Sequence, residues 1–134
     1  MKTIFLILTL SFMNVIYAQK GVYRIKTHTL YTYTYNNTTN EFSELKNETS
    51  VNFLIVVKDD KLNIYNKLEE EFIVYQLVEQ TTDDEYMTTT VSAIDKKGNN
   101  CSISVYFSVN DKSCIVNIFF DEENWGAVYY GVEL

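Results

Sequence analysis

"CSISVYFSVNDKSCIVNIFF", residues 101–120, decides how this chain folds. Apolar and polar residues alternate on both sides of Asn110-Asp111. That is the period of a half-buried strand, and Asn-Asp is good turn chemistry. With the turn placed there, Phe107 faces Cys114, Val105 faces Val116, Ile103 faces Ile118 and Cys101 faces Phe120. Every pair is apolar, while Ser102, Ser104, Ser108 and Asn117 point the other way. A slip of one residue would carry the whole apolar set to the wrong face, so the register is well specified.

The same grammar repeats on either side. Residues 51–58 (VNFLIVVK) and 61–66 (KLNIYN) flank an Asp59-Asp60 turn. That turn sets Val57 against Leu62 and Ile55 against Ile64, again on one side. Residues 67–80 carry two signals. Asn66 and Glu69 resemble a helix cap, and Leu68, Phe72 and Tyr75 lie near one helical face. FIVYQLV, however, is rich in β-branched and aromatic residues, so a strand over 72–79 is the favoured reading and a helix the alternative. A strand over 86–94 follows. Asp95-Lys96-Lys97-Gly98 reads as a type I turn closed by a glycine. A final strand over 125–132 follows the acidic turn 121–124. The chain has no proline and four glycines. These features predict one all-β domain over 19–134, an antiparallel sandwich or small barrel of about 7–8 strands.

The first strand, over 21–35, is unusual. Read with an unbroken period of two, it places Tyr23, Ile25, Thr27, Thr29, Tyr31, Tyr33 and Tyr35 on one face. Because Tyr23 and Ile25 lead that face, burial is the first expectation. A platform of tyrosines for a sugar or peptide is the second. The candidate binding residues are therefore Tyr31, Tyr33, Tyr35 and Trp125. Residues 41–50 show no clear period.

Residues 1–18 have the order of a secretory signal peptide. Lys2 is followed by an apolar run, and Ala18 precedes Gln19 at the expected cleavage point. The run is shorter than the roughly 20 residues of a membrane span. The expectation is a periplasmic or secreted protein with no transmembrane segment in the mature chain. Eighteen acidic and 11 basic residues give a formal charge of −7. Such a surface repels the phosphate backbone, and no nucleic-acid partner is expected.

Chemistry is sparse. His28, the one histidine, sits mid-strand among threonines with no local nucleophile. No metal-ligand spacing or glycine-rich phosphate loop is present. Acidic runs at 69–71, 83–85 and 121–123 read as solvated turns before they read as a carboxylate pair. The hairpin register separates Cys101 from Cys114 by about six steps, or roughly 20 Å. A disulfide reaches only about 7 Å between Cα atoms. Both thiols are expected free and buried, and no cofactor, metal or catalytic residue is expected.

"KLNIYNK", "FIVYQLVE", "AIDKKGNNCSISVYF" and "CIVNIFFDEENWGAVYY" together resemble small exported proteins of Bacteroidota, especially flavobacteria. The shared element is D-x-x-G-x-x-C-x-I, here Asp95, Gly98, Cys101 and Ile103. The resemblance covers about the last two thirds of the mature chain. It implies a compact antiparallel β domain in the periplasm or outside the cell, and carries no activity with it. The functional expectation is a non-catalytic binding module for a protein, glycan or small apolar ligand. The alternatives are a hydrolase inhibitor, acting through 83–85 and 121–124, and a lipocalin-like carrier.

Overall fold

A computed structural model describes residues 22–134. The expected signal peptide lies outside the described residues. Ten strands follow in chain order. They are β1 (Val22–Asn36), β2 (Glu41–Phe42), β3 (Lys46–Ser50), β4 (Leu54–Lys58) and β5 (Lys61–Tyr65), then β6 (Glu70–Thr82), β7 (Tyr86–Asp95), β8 (Asn100–Ser108), β9 (Ser113–Phe120) and β10 (Trp125–Glu133). From β4 to β10 each strand pairs antiparallel with the next. Strand β1 pairs with β4 through its first residues and with β10 along most of its length. That second pairing closes an eight-stranded antiparallel barrel. The architecture is thus the barrel, not the sandwich. The segment that carries both helix and strand signals is strand, as its β-branched content favours.

The hairpin registers are those the apolar pattern demands. Ile55 pairs with Ile64 and Val57 with Leu62. Cys101, Ile103, Val105 and Phe107 pair with Phe120, Ile118, Val116 and Cys114. The inward side chains fill the barrel. Ile25, Ile55, Ile64, Phe72, Ile103 and Val116 are nearly inaccessible, and Leu30, Phe53, Val74 and Trp125 pack against that core. Thr27 is buried among them. Its hydroxyl donates to the Phe53 carbonyl at 3.0 Å and accepts from the Phe53 N–H at 3.0 Å. The polar group is thereby satisfied, where it would otherwise destabilise the interior.

One feature of β1 departs from the sequence reading. Thr27 pairs with Gly131, but Thr29 pairs with Tyr130, so His28 is an extra residue in the ladder. This β-bulge reverses the parity of everything after it. Ile25 and Thr27 face the interior. Beyond the bulge Leu30 takes the inward place beside Tyr129. Tyr31, Tyr33 and Tyr35 turn to the outer wall, so they do not share a face with Tyr23 and Ile25 as expected. The weakly patterned 41–50 stretch forms β2 and β3, two short additions to the distal part of β1.

Tyr33 is buried even so, at 7 % exposure. Its ring lies over Gly126 of β10, where a Cβ would come within 2.3 Å of the ring. It stacks near-parallel with Phe119, edge-on to Phe42, and its hydroxyl donates to Asn117 Oδ1 at 2.6 Å. Tyr33→Phe leaves that oxygen without its donor while keeping the ring. We expect a loss of about 1–2 kcal/mol in urea unfolding. An unchanged midpoint would mean that solvent supplies the bond as well.

Candidate functional site at the barrel mouth

Turns in a meander alternate between the two ends of a barrel. The β5–β6, β7–β8 and β9–β10 turns therefore gather at one end. There they surround an open hollow of about 330 Å³, within the size range of small-molecule sites. Its apolar lining is Leu68, Phe72, Phe120 and Trp125. Phe120 and Trp125 pair across β9 and β10 and stack at 4.6 Å with 20° between their planes. Phe72 meets Phe120 at 6.2 Å. Leu68 stands at the rim 86 % exposed, beside the aromatic floor.

Side-chain and backbone hydrogen bonds fix the rim. Asp95 organises the β7–β8 turn. Its Oδ1 accepts from the Lys97 and Asn99 N–H groups, at 2.9 and 2.8 Å, and its Oδ2 accepts from Asn99 Nδ2 at 3.1 Å. Partial burial pushes its carboxyl up, but these bonds and the Lys97 charge outweigh that and hold it below the usual range. Gly98 takes φ +87° to complete the turn, the conformation glycine accepts without steric cost. Lys96 Nζ donates to the Glu69 carbonyl at 3.3 Å, linking two of the turns. Glu70 accepts from Asn66 Nδ2 at 2.8 Å, Glu71 from Asn63 Nδ2 at 3.2 Å, and Glu123 from the Trp125 indole N–H at 2.7 Å. Below the rim, Tyr129 is buried, and burial together with the Glu70 charge raises its phenol pKa.

The four residues singled out from the sequence do not form one surface. Trp125 belongs to the mouth. Tyr31, Tyr33 and Tyr35 lie on the outer wall, and each is already engaged. Tyr31 meets Tyr130 edge-on and donates to Glu48 at 3.1 Å. Tyr35 packs on Phe42 at 4.7 Å and donates to Asn40 at 3.2 Å. Sequence reasoning missed Leu68, Phe72 and Phe120 as possible site residues. It also treated the acidic runs at 69–71 and 121–123 as unrelated. Counting turns along the meander would have placed these two at one end. The 83–85 and 121–124 loops, by the same count, lie at opposite ends of the barrel.

His28 is exposed at the bulge, its Nδ1 2.8 Å from Thr29 Oγ1. Among the described residues no cluster of three His, Cys, Asp or Glu side chains is placed to hold a metal ion. Asp83 and Asp111 have pKa values lowered chiefly by backbone N–H donors, those of Tyr86 and Glu85 for Asp83 and that of Ser113 for Asp111. They act as ionised turn caps.

Cys101 and Cys114 are buried and in no disulfide; each thiol donates to a backbone carbonyl two residues earlier, Asn99 and Lys112, at 3.5 Å. Burial, reinforced by neighbouring carboxylates, pushes each thiol up to about 12 from an ordinary 9.0. The unfolded chain therefore loses these protons first. Stability from the neutral thiols is complete below pH 9 and is lost as pH rises from 9 towards 12. We expect the melting temperature to fall over that window, and to fall less in a Cys101→Ala/Cys114→Ala double variant. Equal slopes in the two proteins would assign the alkaline loss to other groups, Tyr129 first. Native protein should also resist thiol reagents at neutral pH.

The fold and the mouth together define a class: a closed eight-stranded antiparallel barrel with a filled interior and an aromatic-floored hollow at one end. Comparison with protein-family models, with curated proteins and with solved structures returns no match for the chain.

Proposed function

We propose that this chain is an exported, non-catalytic binding module that seats a small ligand in the barrel mouth. One observation carries the reading: an open hollow whose floor is Phe72, Phe120 and Trp125, and whose rim exposes Leu68. A partly exposed indole, Trp125, beside the edges of two buried phenyl rings at the centre of a fixed rim favours a ligand with a flat apolar part. The interior below is occupied by side chains, so a carrier reading is confined to the mouth as well. The leader-like segment 1–18 and the resemblance to exported proteins support passage out of the cytoplasm.

Native mass spectrometry of the protein purified from its own host tests this. A co-purifying small molecule that Trp125→Ala no longer retains supports the mouth. A retained protein partner, or a ligand lost only when Tyr35 and Phe42 on the outer wall are changed, would replace it.

A further inference from the structure

The charge around the mouth narrows the ligand. Five acidic residues border it, Glu69, Glu70, Glu71, Asp95 and Glu123, against two lysines, Lys96 and Lys97; of the five, Glu71 turns its carboxylate to Asn63 on the outer wall. Lys96 is drawn to the Glu69 carbonyl, and Lys97 lies by Asp95 and contributes to its lowered pKa. The surplus is therefore negative over an aromatic floor. Two of these carboxylates, Glu70 and Glu123, are held by a side-chain N–H donor through one oxygen, Oε2. Their charges are positioned before any ligand arrives, which lowers the ordering cost of binding. Aromatic faces attract cations through their quadrupole, Trp most strongly. The chain's overall charge of −7 adds a long-range pull of the same sign.

We propose that the mouth selects an organic cation, a protonated amine or quaternary ammonium group carried on a flat apolar body. The apolar body lies against Phe120 and Trp125 beside Leu68. The cationic head sits towards Glu70 and Glu123. This assignment rests on the mouth being the ligand seat, so its test separates the two ideas.

Trp125 is the one tryptophan in the chain and stands in the site, so its fluorescence reports occupancy. The probes are 2-phenylethylammonium, 2-phenylethanol and phenylacetate, which share a ring and differ in charge. We expect the cation to bind about tenfold more tightly than the alcohol, and the anion more weakly still. The preference should shrink in 0.5 M salt and in a Glu70→Gln/Glu123→Gln variant, whose amide oxygens still accept the Asn66 and Trp125 bonds. Equal binding of cation and alcohol would overturn the charge selection and leave the mouth as an apolar seat. Tighter binding of the anion would also overturn it. No fluorescence response to any probe at millimolar concentration would overturn both.

Discussion

Gly131→Ala should lower the melting temperature by roughly 10 °C, a loss of about 3 kcal/mol for a domain of this size. A Cβ at this position would lie 2.4 Å from the Lys26 carbonyl oxygen and 2.9 Å from the Thr27 Cα. Both are backbone atoms of β1, so no side-chain rotation relieves the clash. Gly131 pairs with Thr27 at the point where the His28 bulge begins. Strand β1 approaches β10 unusually closely there, and only glycine leaves the space. The strain falls on the pairing that closes the barrel. Gly98→Ala is the control. It meets nothing within 4 Å and costs only its φ of +87°, about 1 kcal/mol. Equal losses at the two positions would show that the β1–β10 seam yields easily.

Phe72→Ala should be at least as severe, with a loss of about 3–5 kcal/mol. Phe72 is 2 % exposed and among the largest of the fully buried side chains. It sits near the start of β6, paired with Leu62 and Asp95, and supports Phe120 from below. Its removal leaves a void joined to the mouth. Water entry there would hold the loss near the lower end of the range, because a polar rim supplies partners. The same void should change Trp125 fluorescence in the folded state, since Phe120 loses its support. Urea unfolding measures the first effect and the native emission spectrum the second. A loss below 1 kcal/mol would mean that Phe72 does not link core and floor.

The hairpins were legible because two constraints agreed. A turn at Asn110-Asp111 and an apolar alternation on both flanks allow one register, and the β8–β9 pairing has it. The β4–β5 hairpin behaves alike. Barrel closure was not legible, because it joins residues about a hundred positions apart through β1 and β10. Nor was the bulge. Thr and Tyr suit either face of a strand, so the 28–35 sequence looks regular whether or not one residue is inserted. That one residue moves three tyrosines from the expected inner face to the outer wall. Residues 41–50 lack a period because β3 is exposed throughout and β2 is two residues long. Trp125 stood out by residue type. Its neighbours in the mouth did not, since Phe72 and Phe120 read as ordinary core and the acidic runs at 69–71 and 121–123 as ordinary surface. Topology alone gathers them.

The mouth is the proposed ligand seat, and the outer tyrosines serve as wall. Amide chemical-shift mapping with 2-phenylethylammonium tests that most directly. A ligand seated in the mouth concentrates the shifts at 66–72, 95–99 and 120–125 and leaves Tyr31 and Tyr35 unmoved. Shifts confined to Tyr31, Tyr35 and Phe42, or no shift anywhere at millimolar probe, would contradict it.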